Sequence, residues 1–144
     1  MSFSDFLSLK VSDLMSKDVA TVAEDDTIHA AAQFMAERKI GAVVVVTPAK
    51  EVVVGILTER DLMTRVVAKA LDPKVMLVKE IMTQSVATLS STLPAAEVFS
   101  LLQSKNFRHV PIVDKGTLVG IISIKDVFEI MHKIIGDVIF GDGK

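Results

Sequence analysis

The sequence predicts an α+β fold made of two copies of one small unit, each with the order strand, helix, strand, strand, helix. Three observations lead to this prediction. The chain of 144 residues repeats itself internally, its apolar residues switch between helical spacing and continuous strand-like runs, and half of its residues are apolar. A unit of under ~70 residues buries little surface alone, so we expect the two copies to pack sheet to sheet in a pseudo-two-fold arrangement.

The internal repeat is visible in two pairs of short segments. Val11–Ser16 (VSDLMS) is echoed by Val78–Thr83 (VKEIMT), 67 residues later (78 − 11), and Val19–Val22 (VATV) is echoed by Val86–Leu89 (VATL) at the same separation. The separation is still 67 between Ile40 and Phe107 (107 − 40), but it is 65 between Gly55 and Gly120 (120 − 55). The second copy therefore has a turn that is two residues shorter.

Each copy is predicted to contain a short opening helix, a brief strand, an amphipathic helix, two buried strands and a closing helix. In the first copy the short helix carries Leu14-Met15, and the other elements are Val19–Val22, Thr27–Arg38, Ala42–Thr47, Val52–Leu57 and Glu59–Ala70. In the second the short helix carries Ile81-Met82, and the other elements are Val86–Leu89, a helix from Pro94 to Lys105, His109–Val113, Thr117–Ile122 and Lys125–Ile135.

The helices are predicted from apolar spacing and end signals. Ile28, Ala31, Ala32 and Met35 fall at i, i+3, i+4 and i+7, and the preceding Asp25-Asp26 gives the helix an acidic beginning. Pro94 suits a first helical turn in the second copy.

The closing helix of the second copy carries one apolar face. Its residues are Val127, Ile130, Met131 and Ile134, and Gly136 is interpreted as its stop.

The paired strands are predicted to be buried on both faces because they are continuous Val and Ile runs rather than alternating ones. In the second copy Asp114-Lys115-Gly116 separates them and indicates a hairpin turn. The predicted organisation is a repeat at 8–70, a linker at 71–77 with Asp72-Pro73, a second repeat at 78–136, and a loosely held tail at 137–144 that docks through Ile139 and Phe140.

The amino-acid composition argues against several classes of function. A net charge of −2 with balanced signs argues against nucleic-acid binding driven by bulk charge, and the absence of cysteine excludes disulfides and thiol chemistry. The longest apolar run, Ile40–Val46, is far shorter than the ~20 residues of a membrane-spanning helix. The start of the chain lacks a basic signal-peptide region, so we expect a cytoplasmic protein without a membrane partner.

The candidate functional motif is a buried strand that ends in a hydroxyl residue, followed by a cation and an Asp. It occurs as Gly55–Asp61 (GILTERD) and again as Gly120–Asp126 (GIISIKD). A Ser or Thr with an acidic residue three positions later is typical of a helix capping box, which explains these two positions without a ligand. The cation is not explained in this way, because Arg60 and Lys125 would lie beside a helix end that is already positive. A phosphate bound by the hydroxyl, the cation and free N–H groups explains it, and the carboxylate is suited to a ribose diol.

The paired units, the Met-Ser and Met-Thr ends of the short helices, and above all the doubled Gly-Ile-Leu-Thr-x-x-Asp and Gly-Ile-Ile-Ser-x-x-Asp motifs resemble a tandem pair of CBS domains, a Bateman module. The resemblance covers roughly residues 8–136 and is strongest to stand-alone two-repeat proteins. It implies regulatory binding of an adenine nucleotide, namely AMP, ADP or ATP, with NAD(H) or an adenosyl compound as further candidates.

The resemblance also implies roles for individual residues. Asp61 and Asp126 would bind ribose, while Thr58, Arg60, Ser123 and Lys125 would face phosphates. Adenine would lie against the first brief strand of each copy and apolar walls; these residues are Val19, Ala20 and Thr21, then Val86, Ala87 and Thr88, with Val43 or Val110 and Ile56 or Ile121 as walls.

The two sites are predicted to differ. Arg108-His109-Val110-Pro111 offers a basic residue where the family often reaches phosphates, whereas the first copy has Gly41-Ala42 there. One site would then prefer a more highly charged nucleotide, or one would stay empty. The alternative is that Arg108 and His109 only end a strand in solvent.

No catalytic constellation is present, so an enzyme is not expected, and His29 and His132 are interpreted as surface residues without metal-ligand spacing.

Two hypotheses for the function remain. The first is a nucleotide sensor that changes the packing of its repeats and so signals to a regulated partner protein. The second is a constitutive dimerisation or interaction module with non-binding clefts. A homodimer through the closing helices is expected, although an apolar stripe alone does not separate core from interface.

Overall fold

The protein has mixed helix and strand content, as the sequence predicts, and the computed structural model describes residues 2–49, 52–84, 86–105 and 108–141. Within those ranges the elements, in chain order, are α1 (Phe3–Leu7), α2 (Val11–Leu14), β1 (Thr21–Ala23), α3 (Ile28–Arg38), β2 (Ala42–Val46), β3 (Val53–Thr58), α4 (Glu59–Leu62), a π-helical turn (Met63–Val67), α5 (Val78–Ile81), α6 (Ala96–Lys105), β4 (His109–Asp114), β5 (Thr117–Ser123) and α7 (Ile124–Phe140). The repeat partner Phe107 lies outside the described residues.

The chain forms two compact units whose membership differs from that of the sequence repeats. The first-repeat unit consists of Val19–Val86 with Gly116–Leu118, and the second-repeat unit of Met1–Asp18, Ala87–Lys115 and Val119–Lys144. The short helix that opens each repeat in sequence, α2 or α5, therefore belongs to the unit of the other repeat. The predicted linker at residues 71–77 separates the two repeats of the sequence. It does not separate the two compact units, because each unit contains the short helix that opens the other repeat.

The first-repeat unit contains a three-stranded sheet in the order β1-β2-β3. Strand β1 is parallel to β2, with Thr21 opposite Val44, and β2 is antiparallel to β3, with Ala42 opposite Thr58. Its core joins apolar side chains of the sheet with those of α3 and α5; the buried members are Val22, Ile28, Ala31, Met35, Val43, Val45, Leu57, Val66, Val78, Ile81 and Met82.

Helix α3 begins differently from the expected acidic start. Its N-cap is Thr27, whose hydroxyl accepts a hydrogen bond from the Ala30 amide at 3.1 Å. Asp26 instead accepts from the Ala23 amide, and Asp25 forms an ion pair with Lys79 at 3.0 Å. The two carboxylates therefore fix the loop before the helix, because a hydroxyl already caps its first turn.

Within the described residues the second-repeat unit forms a two-stranded sheet, β4-β5, and the strand predicted at Val86–Leu89 is wrong. That segment contributes a single parallel bridge between Leu89 and Ile112. In the first-repeat unit the Val44 amide donates to the Ala20 carbonyl at 3.1 Å, but Pro111 occupies the equivalent position of the second repeat and has no N–H to donate. The missing ladder hydrogen bond explains why no strand forms there.

The closing helices of the two repeats also differ from their predicted extents. In the first repeat, four residues of α4 pass into the π-helical turn Met63–Val67 rather than an α-helix to Ala70. In the second, α7 continues through Gly136 to Phe140. Gly136 therefore does not end the helix, and residues 137–140 are helical rather than part of a loosely held tail. Ile139 and Phe140 are 65% and 77% exposed, and so they do not dock.

Helix α7 has 17 residues. No helix in the described ranges is long and apolar enough to cross a membrane.

Each unit is held together by the same contact between a strand glycine and a methionine. A Cβ added at Gly55 would lie 2.6 Å from Met82 Sδ and 2.8 Å from the Thr83 carbonyl oxygen, and one at Gly120 would lie 2.5 Å from Met15 Sδ. Beside these contacts, Ile56 and Thr83 exchange backbone hydrogen bonds of 3.0 and 2.9 Å. Glycine is therefore required at these strand positions because the exchanged segment passes directly over the backbone.

We expect Gly55→Ala to lower the free energy of unfolding by about 1–3 kcal/mol, because the added methyl group collides with the backbone of Thr83 as well as with Met82. The matched control is Gly136→Ala on α7, where an added Cβ meets no atom within 4 Å, and it should raise stability by about 0.5–1 kcal/mol. Urea unfolding followed by circular dichroism measures both. Equal stability of Gly55→Ala and the natural protein would contradict the proposed role of this contact.

Candidate functional site

Both copies of the hydroxyl–cation–Asp motif form complete capping boxes. In the first repeat the Thr58 amide donates to Asp61 Oδ2 at 3.0 Å and the Asp61 amide donates to Thr58 Oγ1 at 3.1 Å. In the second, the Ser123 amide donates to Asp126 Oδ2 at 2.8 Å and the Asp126 amide donates to Ser123 Oγ at 3.3 Å. The structural role inferred for these residues from sequence is thus confirmed, whatever else they bind.

Only one oxygen of each carboxylate is used in the cap. Asp61 and Asp126 both accept these hydrogen bonds through Oδ2, so Oδ1 takes no part in either cap. Asp61 is 9% exposed, and its Oδ1 lies 3.9 Å from Arg65 Nε. Arg65 in turn donates from Nη1 to the Ile81 carbonyl at 2.7 Å, so a side chain of the π-helical turn connects Asp61 with the end of α5.

The predicted adenine-contact residues of the first repeat lie in one sheet or directly before its first strand. Val44 is paired with Thr21 on one side and with Ile56 on the other, and its amide donates to the Ala20 carbonyl. Val19 precedes these residues in the same unit. Strand β2 thus lies between the segment Ala20-Thr21 and Ile56. These residues lie at the end of the sheet where β3 leads to Thr58.

Val43 and Val110 are the least accessible of the predicted walls. Both belong to the apolar cores, where Val43 is 1% and Val110 is 0% exposed. Successive residues of a strand face opposite sides of the sheet, and Val44 pairs with Ile56 while Val43 pairs with Leu57. The side chains of Val43 and Leu57 belong to the core, and the opposite face of the sheet carries Val44 and Ile56, which are also buried at 0% and 9% exposure. Ile121, which corresponds to Ile56 in the second repeat, is partly exposed.

The second repeat places Arg108 and His109 next to its capping box. The Ile124 amide donates to the Arg108 carbonyl at 2.8 Å, which puts the start of β4 beside the start of α7. Burial, and then the positive charge of Arg108, lower the pKa of His109, while Asp126 acts in the opposite direction. His109 is half-buried, whereas Arg108, which precedes β4, is exposed.

The other predicted site residues of the second repeat differ in their burial and in the compact unit to which they belong. Pro111 is fully buried, and the Leu89 amide donates to its carbonyl at 3.2 Å. Ala87 and Thr88 belong to the second-repeat unit, whereas Val86 is the last residue assigned to the first-repeat unit. The cations Arg60 and Lys125 are exposed.

Asp126 also borders an open depression of about 440 Å³ on the second-repeat unit. Helices α2 and α7 line it through Asp13, Leu14, Asp126, Glu129, Ile130, His132 and Lys133. The volume is within the range of small-molecule sites. Among the described residues no group of three or more His, Asp or Glu side chains is arranged to hold a metal ion.

Two features of the site were not found from the sequence. One is Arg65 beside Asp61, and the other is Glu59, whose carboxyl group lies against Gly41. A comparison of the two repeats contains a signal for the second feature, because Gly41 and Glu59 of the first repeat correspond to Arg108 and Ile124 of the second. Both members of the pair change together.

We expect the low pKa of His109 to make the protein less stable in mild acid. The unfolded chain, with an imidazole pKa near 6.5, binds a proton more readily than the folded protein, so the free energy of unfolding falls as the pH decreases below that value. Urea unfolding at about pH 7.5 and about pH 5.5 should show a smaller difference for His109→Ala, which introduces the residue of the equivalent position Ala42, than for the natural protein. His132→Gln, which removes an exposed imidazole, is the control. An unchanged pH dependence in His109→Ala would contradict this assignment.

Comparison with known proteins decides the family. A family profile described as "CBS domain" matches residues 11–68 and again 78–133, which is most of the chain. The chain belongs to the CBS-domain family. The predicted pair of CBS repeats in one chain is thereby confirmed, and a CBS pair is a regulatory type of module.

Similar proteins come from bacteria and archaea. The chain is 33% identical to the CBS domain-containing protein YhcV of Bacillus subtilis, over 81% of each chain, and 30% identical to hypoxic response protein 1 of Mycobacterium tuberculosis, over 80% of each. It is 35% identical to an uncharacterised protein of Methanopyrus kandleri over 85% of this chain, but spans only 63% of that relative.

Solved structures share the fold. A CBS-domain protein of Agrobacterium tumefaciens is 38% identical with a TM-score of 0.74, covering 83% of this chain and 91% of that one. A putative signal-transduction protein with CBS domains from Burkholderia ambifaria is 31% identical with a TM-score of 0.70, covering 100% and 97%. A hexameric CBS-CP12 protein from bloom-forming cyanobacteria has a TM-score of 0.75 at 31% identity, covering 83% of this chain and 66% of that one.

Proposed function

We propose that this CBS pair is a regulatory module that binds an adenine nucleotide, such as AMP, ADP or ATP, and transmits its occupancy to a partner protein. The observation that carries the proposal is the second-repeat site. There, Arg108, His109 and Lys125 accompany an Asp126 carboxylate whose position is fixed by the capping box and whose Oδ1 is not used in that cap. A cation-lined strand end with an oriented acceptor suits a phosphorylated ribose.

The exchanged segments supply a route for transmission. Ile56, a wall of the first-repeat site, is hydrogen-bonded through its backbone to Thr83, and Ile121 is bonded in the same way to Ser16. Each site is thus attached directly to a segment that continues into the other repeat of the sequence. Ligand binding that shifts either strand end would alter the packing of both repeats, and a partner protein would detect that change.

Isothermal titration calorimetry of ligand-stripped protein with AMP, ATP and NADH tests nucleotide binding. We expect heat from at least one titrant at micromolar concentrations, and removal of the ribose acceptor in Asp126→Ala should weaken the second-repeat site by at least about tenfold. Asp61→Ala should act in the same way on the first-repeat site, for which adenosine is added as a further titrant.

The matched control for both variants is Asp5→Ala. Asp5 caps α1 with the same geometry, accepting from the Ser2 amide at 2.9 Å, but it belongs to no site. All three variants should lose about 1 kcal/mol of stability with their caps, and only the two site variants should lose binding. Absence of heat with every titrant would contradict the nucleotide proposal, and normal binding by both site variants would contradict the ribose assignment.

A constitutive interaction module is the second candidate, and α7 favours it. Its outward residues Ile124, Phe128, Met131, Ile135 and Val138 follow a strict alternation of four and three positions and are 37%, 60%, 39%, 53% and 68% exposed. Such a stripe is the seam of a helix pair. A second copy of the chain provides the same stripe, so we propose a homodimer through α7, and this dimer is compatible with either function.

We expect Phe128→Glu combined with Ile135→Glu to give a monomer, because two charges would be buried in the seam. Light scattering coupled to size-exclusion chromatography measures the mass. Val75→Glu, which changes an isolated residue that is 70% exposed, should leave the dimer intact. A natural protein that is monomeric at micromolar concentration would contradict the dimer. If the dimer forms and no nucleotide raises the melting temperature at saturating concentration, the interaction module is the better interpretation.

A further inference from the structure

The start of helix α4 in the first repeat carries an acidic residue that lies against the neighbouring strand end. A Cβ added at Gly41 would lie 3.2 Å from Glu59 Cδ, 3.2 Å from Glu59 Oε1 and 3.5 Å from Oε2. The carboxyl group therefore occupies the space that a side chain at position 41 would need. The Glu59 amide also donates to the Gly41 carbonyl at 2.9 Å, so the backbones of these residues are fixed against each other.

The second repeat has the same backbone arrangement with the opposite charge. There the Ile124 amide donates to the Arg108 carbonyl at 2.8 Å, in direct correspondence to Glu59 and Gly41. The two residues joined by this backbone hydrogen bond are thus Gly41 and the acidic Glu59 in the first repeat, and the basic Arg108 and the apolar Ile124 in the second. Two matched positions have changed together.

The charges around the two sites differ accordingly. The first-repeat site has the carboxylates of Glu59 and Asp61 beside the exposed Arg60, and its other nearby cation, Arg65, is hydrogen-bonded to the Ile81 carbonyl. The second-repeat site has Arg108 and Lys125 with Asp126 as the carboxylate of its motif, and Asp13 and Glu129 line the depression that Asp126 borders. A phosphate next to Thr58 would meet the Glu59 charge, because Thr58 is paired with Ala42 directly beside Gly41.

We propose that Glu59 and Gly41 make the first-repeat site selective for an adenine nucleoside whose 5′ substituent is uncharged or cationic, while the second-repeat site takes the phosphorylated nucleotide. The inference rests on the proposed nucleotide-binding function and assigns a ligand class to each site. Asp61 supplies the ribose contact in the first-repeat site and Asp126 supplies it in the second, and Glu59 repels a 5′ phosphate from the first. The module then responds to the ratio of two related ligands rather than to a single nucleotide.

The test isolates the first-repeat site in the Asp126→Ala background and titrates it with adenosine and with AMP by calorimetry. Adenosine should bind more tightly than AMP. Adding Glu59→Gln, which removes the charge and keeps the side-chain size, should strengthen AMP binding by about tenfold and change adenosine binding by less than about twofold. Glu37→Gln, which removes an exposed charge on α3 of the same unit, is the control and should change neither.

The reciprocal test transfers the second-repeat pair. Gly41→Arg with Glu59→Ile, in the same Asp126→Ala background, should give a site that prefers AMP to adenosine. In the Asp61→Ala background, Arg108→Gly should weaken AMP binding and leave adenosine binding unchanged. Thermal unfolding of each variant establishes that it is folded, and the conservative Glu59→Gln change keeps the test valid if the double replacement does not fold.

The outcomes separate this inference from the proposed function. If the first-repeat site binds AMP as tightly as adenosine and Glu59→Gln leaves their ratio unchanged, the selectivity is overturned while nucleotide binding stands. If the natural protein binds neither adenosine nor any nucleotide, both the proposed function and the inference that rests on it are overturned. A ratio that shifts towards AMP in Glu59→Gln supports the inference.

Discussion

The close approach of a methionine to a strand glycine is the contact on which the rest of the structure depends. Met82 lies over Gly55 and Met15 over Gly120, and in each case the adjoining backbone pairs with the next strand residue, Ile56 or Ile121. Because each methionine comes from the segment that opens the other repeat, these contacts create two compact units that are discontinuous in sequence. The strand that carries each glycine ends a few residues later at the capping box. The packing contact and the candidate site therefore lie on the same strand.

The capping boxes explain how the residues of the proposed sites also stabilise the fold. The cap uses one carboxylate oxygen and not the other, so the proposed ribose contact does not require the cap to be broken. The surroundings of that fixed group differ between the repeats. Arg65 holds Asp61 to the end of α5 in the first repeat, whereas His109 lies beside Asp126 in the second.

Divergence between the repeats follows from a few substitutions in one shared frame. Pro111 removes a hydrogen-bond donor and with it a strand, and the exchange of Gly41 and Glu59 for Arg108 and Ile124 reverses the charge at the candidate phosphate position. The closing helices diverge as well, because a π-helical turn interrupts one and the other continues as a long helix with an exposed apolar seam. A duplicated unit has thus become an asymmetric pair.

The sequence by itself determined the repeat, the family, most of the helices and strands (the strand at Val86–Leu89 was wrong), and the Thr58–Asp61 and Ser123–Asp126 caps. These depend on local patterns, namely apolar spacing and a hydroxyl three residues before a carboxylate, which act over a few residues. It did not determine that α2 and α5 are exchanged, that α7 passes through Gly136, or that Glu59 lies on Gly41. Those features were decided by contacts between residues distant in the chain: a helix continues through a glycine when its apolar residues pack, and a side chain turns towards whatever space the neighbouring strand leaves. The tertiary structure alone therefore decided which charges meet at each site.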